Sequence, residues 1–234
     1  MAFASFTTFD QYLLGLFNGS NSLFLDSMAQ WLTSGLTWIP LYIALFILVM
    51  KNNETMAQIA LIVGCSLLCI ILAGGLTDFV VKPLVARWRP ANDPFFKYAV
   101  DVVANHRSSD YGFFSAHAAN TMSLAVFFSF LVRDRLLGFT LVVWSLINCW
   151  TRLFLGLHYP FDILFGILWG IVAGSLSYLV FHHIYFKISP RLNYISSQYS
   201  STGYSKTDID MVVAVFVLTL AVVMLCAVYT IRLI

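Results

Sequence analysis

Lys82…Arg89-Pro90, Ser115-Ala116-His117 and Arg152…His158…Asp162 hold the side chains of this 234-residue chain whose types and spacing could do chemistry. Two histidines, one carboxylate and three cations are the parts needed to hold a phosphate and transfer it. Imidazole can attack phosphorus or give a proton, while ammonium and guanidinium groups match the charge of phosphate oxygens. Each cluster borders a long apolar run, where charge is expensive, so its presence asks for a functional reason.

The first cluster, Lys82-Pro-Leu-Val-Ala-Arg-Trp-Arg89-Pro90, follows directly on an apolar stretch, and Pro83 and Pro90 disfavour simple continuation of a helix. By itself it also fits cations snorkelling at a helix end, with Asp78 and Lys82 as an ordinary i,i+4 pair. In the second, Ser115 suits the N-cap of a helix whose free N–H groups can bind an anion. His117 then falls in the first turn, placed to give a proton to an oxygen of that anion. The bland alternative is a serine cap with an incidental histidine. In the third, Pro160 fits the first position of a helix, with Asp162 in its first turn and His158 just before it. A carboxylate there accepts the proton on one imidazole nitrogen and leaves the other to attack. Arg152 offers a planar fork for phosphate oxygens. An interfacial histidine and a helix-start aspartate are unremarkable alone. The joint occurrence of the clusters outweighs the separate readings.

The elements that must position these residues are membrane helices. The chain is 60% hydrophobic and 10% charged, with mean hydropathy +0.83. A soluble domain has about 45–50% and about 25%. The expected fold is an all-α integral membrane protein, a six-helix transmembrane bundle forming one domain over 1–234. Net charge +2 implies no polybasic surface for nucleic acid. Cys65, Cys69, Cys149 and Cys226 lie in apolar runs and read as small core residues, neither disulfides nor zinc ligands. With no Lys or Arg before Lys51, no cleavable signal peptide is expected.

Spans are expected at 33–50, 57–81, 115–132, 136–153, 160–182 and 210–232, each near the roughly 20 apolar residues that cross a bilayer. Residues 1–32 mix apolar side chains with Asp10, Asn18-Gly19-Ser20-Asn21 and Asp26, and are expected to form interfacial helices on the membrane. A seventh span is the alternative, against which those polar residues argue. Segment 183–208 reads as a polar surface loop. Gly166, Gly170 and Gly174 form a small-residue stripe, serving either packing within the fold or a dimer face. His182-His183 reads as an interfacial pair, since adjacent histidines lack metal-ligand spacing.

This topology puts loops 82–114 and 153–159 on one side and 51–56, 133–135 and 183–209 on the other. The raw cation tally decides nothing, at seven to six: Lys82, Arg87, Arg89, Lys97, Arg107, Arg152 and Arg232 face Lys51, Arg133, Arg135, Lys187, Arg191 and Lys206. Setting aside Lys82, Arg89 and Arg152 as site residues leaves the second side richer, and the positive-inside rule makes it cytoplasmic. All three clusters then face away from the cytoplasm.

The set Lys-x6-Arg-Pro, Ser-x-His and Arg-x5-His-x3-Asp resembles the type 2 phosphatidic acid phosphatase superfamily over about residues 57–182. That family includes membrane lipid phosphatases, glucose-6-phosphatase and the vanadium haloperoxidases. Its usual Pro, Gly and Ser are Phe114, Ala116 and Thr151 here. Alanine keeps the backbone N–H and threonine keeps a hydroxyl, so these departures touch loop geometry and subfamily, not the reaction. The resemblance implies that His158 is the nucleophile and forms a phosphohistidine, that Asp162 orients it, and that His117 protonates the leaving oxygen. It further implies that Lys82, Arg89, Arg152, Ser115 and the Ala116 N–H hold the phosphate, with no metal or other cofactor.

The expected enzyme is a hydrolase of phosphoric monoesters or acid anhydrides in the bacterial inner membrane, with its site on the extracytoplasmic face. Its expected partner is a lipid phosphate in the bilayer, and no protein partner is implied. By analogy undecaprenyl diphosphate stands ahead of phosphatidylglycerol phosphate, phosphatidic acid and the phosphates of lipid A. One rival is a phosphotransferase that passes the phosphoryl group to a lipid acceptor. Another is a transporter or flippase, disfavoured because the charges gather at one interface rather than through the bundle.

Overall fold

A computed structural model describes residues 2–103, 110–188 and 197–232. Arg107 and Arg191 of the charge tally, and the middle of the 183–208 loop, lie outside the described residues. Helices α1 (Ala2–Gly15) and α2 (Leu23–Thr33) lead through a 3-10 turn into α3 (Ile39–Lys51). Helix α4 (Met56–Ile70) runs on through π-helical turns at Ile71–Gly75 and Thr77–Val81 into α5 (Lys82–Val85). Then come α6 (Ala116–Val132), α7 (Arg135–Phe154), α8 (Pro160–Ile188) and α9 (Lys206–Ile231).

Local sequence sets the helix ends. Thr55 and Gln58 form a capping box before α4. Ser115 accepts from the Ala118 N–H at the start of α6, and Asp134 from the Leu137 N–H at the start of α7. Pro160 opens α8 as expected. Ala86, in the left-handed region at φ 48°, ends α5.

The run from Met56, together with α7, α8 and α9, is long and apolar enough to cross a bilayer. The expected span at 33–50 takes another form. Its apolar run starts earlier, at Leu23, and α2 joins the 35–51 segment at a bend of 68°. Ser34 is extended there, and Pro40 restarts the helix as the second residue of α3. By length and composition the spans among the described residues number four, or five if the bent pair is one crossing. The 17-residue α6 is shorter than the roughly 20 residues of a full crossing. It is the interior helix, packed by α4, α7 and α8 and buried over most of its length.

Helices α1 and α2, expected to lie on the membrane surface, pack against the bundle. Helix α2 packs on α7 and α9, and Asp10 of α1 is fully buried. The glycine stripe has a clear use as well. A Cβ added at Gly166 would lie 2.7 Å from the Ser115 carbonyl, and one at Gly170 2.6 Å from the Ala119 carbonyl. The stripe therefore serves close packing of α8 on α6 within one chain. That approach lets the Ser115 N–H donate to the Asp162 carbonyl at 3.0 Å, tying two of the three clusters together.

At the opposite end of the bundle, Lys51 pairs with Asp208 and Lys206 with Asp134. Between the ends lies an apolar core in which Trp38 stacks on Phe216 and meets Trp144 edge-on. Cys65, Cys69 and Cys149 are buried, and all four cysteines are unpaired. His182 packs edge-on against Phe186 at 4.6 Å, a packing contact.

Candidate active site

The loop after α5, the start of α6, the end of α7 and the turn before α8 meet around one pocket of about 600 Å³. Its wall includes Lys82, Arg89, Ala116, His117, Arg152 and His158. Clusters separated along the chain thus converge. The π-helical turns before Lys82 each hold an extra residue compared with an α turn, and such turns often occur at functional sites. Here they lead Asp78 and Lys82 onto the pocket wall as an ion pair at 2.7 Å.

Lys82, Arg89 and Arg152 are all buried. Lys82 Nζ and Arg89 Nη2 each lie 2.8 Å from the same carboxylate oxygen, Oδ2 of Asp110. Arg89 is also held by the backbone: Nε donates to the Asp110 carbonyl and Nη1 to the Leu157 carbonyl, both at 3.0 Å. Arg152 Nη1 donates to Thr33 Oγ1 at 2.7 Å. Its Nη2 lies 2.8 and 3.0 Å from the two ring nitrogens of His117.

The histidines differ in setting. His117 is exposed to the pocket, whereas His158 is 1% exposed. Arg89 Nη1 lies 3.1 Å from His158 Nε2. A guanidinium has only donors, so Nε2 must carry the lone pair and the proton belongs on Nδ1. Nδ1 faces Asp162 Oδ2 at 3.6 Å and makes no hydrogen bond of normal geometry. Burial, then Arg89, Arg152 and Lys82, hold the His158 imidazole well below its usual protonation range, with the Gly112 backbone acting the other way. His158 is therefore neutral at physiological pH, the form a nucleophile needs.

Asp162 lies behind His158, fully buried. Its Oδ2 accepts from the Tyr159 N–H at 3.0 Å, and its Oδ1 accepts from Arg87 Nη1 at 2.6 Å. Arg87 reaches on through Nη2 to Asp10 Oδ2 at 2.5 Å, and Asp10 Oδ1 accepts from the Phe161 N–H at 3.0 Å. Burial raises the Asp10 carboxyl above its usual range, against the pull of Arg87 and Phe161. The row His158–Asp162–Arg87–Asp10 thus ends in the N-terminal helix.

Of the residues expected at the site, Ser115 stands apart. It is fully buried and its Oγ caps α6 at 3.4 Å from Ala118 N, while Ala116 and His117 reach the pocket wall. Close packing of Gly166 on its carbonyl draws Ser115 toward α8. Sequence reasoning missed Arg87, Asp10, Asp110 and Thr33. One signal was available: Asp10 is an ionisable group in a mostly apolar stretch, and such groups need a partner. Thr33 and Asp110 carried no signal in sequence.

The pattern of the PAP2 superfamily matches residues 63–186. A lipid A 4'-phosphatase of Bacteroides thetaiotaomicron is 36% identical over 177 residues, 75% of this chain and 78% of that protein. A lipid A 4'-phosphatase of Porphyromonas gingivalis is 31% identical over 166 residues, covering 70% and 69%. The undecaprenyl-diphosphatase BcrC of Bacillus subtilis is 30% identical over 102 residues, covering 44% of this chain and 51% of its own. The crystal structure of Aquifex aeolicus LpxE shares the fold, with TM-score 0.53 at 22% identity over 71% of this chain and 92% of its own.

Proposed function

Since this chain belongs to the PAP2 superfamily, we propose that it is a metal-independent membrane lipid phosphatase working through a phosphohistidine on His158. The observation that carries the reading is the meeting of His158 Nε2, His117 and three buried cations on one pocket. A bound phosphate takes the Arg89 N–H now directed at Nε2 and frees the lone pair. Nε2 attacks phosphorus, and the bond to the ester oxygen breaks. His117, protonated once the bound phosphate offsets the nearby cations, gives that oxygen its proton and releases the lipid alcohol. Water then attacks the phosphohistidine, His117 takes a proton from it, and phosphate leaves. The transferring phosphoryl group gathers charge on its outer oxygens, where Lys82, Arg89, Arg152 and the Ala116 N–H lie ready. A single such donor is worth about 3–4 kcal/mol. Asp162, fixed by Arg87, keeps the proton of His158 on Nδ1. Ser115 supports the Ala116 N–H by holding the start of α6.

The substrate we place first is a lipid whose phosphate is carried on a sugar, of the lipid A type. The two relatives matched over most of their own length are named for that activity. Undecaprenyl diphosphate is the second reading, favoured by the shorter match to an undecaprenyl-diphosphatase. The proposed location is the bacterial inner membrane with the pocket facing away from the cytoplasm. What supports that orientation is the excess of Lys and Arg on the far side once the three site cations are set aside.

The test is phosphate release by purified protein from lipid A, undecaprenyl diphosphate, phosphatidylglycerol phosphate and phosphatidic acid, with and without EDTA. Release is expected to be fastest from lipid A and unchanged by chelation. Loss of activity in EDTA with recovery in Mg²⁺ would sink the metal-free mechanism, and a preference for the diphosphate would promote the second substrate. Intact spheroplasts should hydrolyse an added impermeant phosphate ester. Hydrolysis appearing only after lysis would reverse the orientation.

A further inference from the structure

The phosphate cradle already holds an anion. Asp110 Oδ2 sits 2.8 Å from both Lys82 Nζ and Arg89 Nη2, where an oxygen of a bound phosphate would be expected. The cations are buried and the acid is half exposed. The Lys82 and Arg89 side chains are 8% and 6% exposed, that of Asp110 48%. Arg89 would stay in place without the carboxylate, because the Asp110 and Leu157 carbonyls hold it. Lys82 would keep Asp78 at 2.7 Å. The Asp110 carbonyl is pinned by Arg89 Nε, so the exchange asks for movement of the Asp110 side chain and not of its backbone.

Resting on the phosphatase reading, we propose that Asp110 is a specificity-determining residue, a built-in competitor that admits doubly charged terminal phosphates and turns away singly charged phosphodiesters. Any ligand of Lys82 and Arg89 must displace a carboxylate of charge −1. A terminal phosphate brings nearly two charges and three free oxygens, so the exchange gains charge-assisted hydrogen bonds. A phosphodiester brings one charge and two free oxygens, and the exchange gains little. Bilayer phospholipid headgroups are mostly phosphodiesters and vastly outnumber any substrate. Repelling a competitor is a recognised way to gain specificity, at some cost in affinity for the right ligand.

Asp110→Asn keeps the shape and removes the charge, and Asp110→Ser is a smaller variant with the same loss. Binding of inorganic phosphate to the purified protein in neutral detergent, read by titration calorimetry, should tighten about tenfold in both. Turnover of a phosphomonoester lipid in neutral micelles should show a lower KM. Adding phosphatidylglycerol should inhibit both variants at mole fractions that leave the wild type unaffected. Asp110→Glu, which keeps the charge, should restore the wild-type resistance. Phosphate binding unchanged or weakened in the neutral variants, with no new inhibition by phosphatidylglycerol, would show that Asp110 merely orients the cations. The phosphatase reading fails separately, if the wild type neither binds phosphate nor releases it from any lipid; the selectivity role then falls with it.

Discussion

At one end of the bundle, charges pair one to one: Lys51 with Asp208 and Lys206 with Asp134. At the pocket end, Lys82 and Arg89 share one oxygen of Asp110, while Arg152 is set against His117 and bonded to Thr33. The first arrangement is closed. Its acids are nearly buried, and its lysines reach in from more exposed positions to join helix ends. The second is open, because three buried cations are met there only by the half-exposed carboxylates of Asp78 and Asp110, which leave them capacity for a further anion. The contrast separates charge that holds the fold from charge that the proposed function assigns to a ligand. One group of the pocket end belongs with the closed kind: Arg87, locked between Asp10 and Asp162.

Substitution of the two histidines should give the largest effect at the open end. His158→Ala should abolish turnover of every substrate and prevent trapping of an acid-labile phosphoenzyme. His117→Ala should lose about 10²–10⁴-fold for a lipid monoester, the usual worth of a general acid. It should lose less for an aryl phosphate, which leaves without help, and should still trap phosphoenzyme. Rapid-quench labelling with a radioactive aryl phosphate reads both. Phosphoenzyme in His158→Ala would overturn the assignment.

Arg87→Leu probes the closed group next to the site. It leaves Asp10 and Asp162 buried without their shared cation, a loss worth about 3–5 kcal/mol for a buried pair. Thermal unfolding in detergent should shift down accordingly, and kcat should fall. Adding Asp10→Asn should recover part of the stability but little of the activity, since Asp162 stays unpaired. Recovery of both together would mean that Arg87 matters to the fold and not to the orientation of His158.

The smallest effect belongs to the far end. Lys206→Met should cost about 1 kcal/mol, since a half-exposed lysine contributes little while the buried Asp134 loses a partner. KM and kcat should match the wild type. A change in kcat at this end would break the division between the two kinds of charge.

The sequence by itself determined which residues form the candidate site, because they are written in short spacings. Lys82 to Arg89, Ser115 to His117, and Arg152 through His158 to Asp162 each lie within a few helical turns, so local periodicity and capping rules place them. Hydropathy likewise placed the helices that became α4, α7, α8 and α9, since burying apolar length in a bilayer is a property of each segment alone. The bend between α2 and α3, and the contacts of the N-terminal helices with the bundle, depend on what those segments pack against. The same holds for what supports the site. Asp10 and Arg87 are 77 positions apart, and Thr33 and Arg152 are 119 apart. No spacing rule reaches that far, because the pairing is decided by which buried groups the packed helices bring face to face. Asp110 joins Lys82 from 28 positions away, across a loop whose course sequence periodicity does not set. Only the tertiary structure could put a second anion where the phosphate was expected, because burying two cations side by side requires a counter-charge within reach.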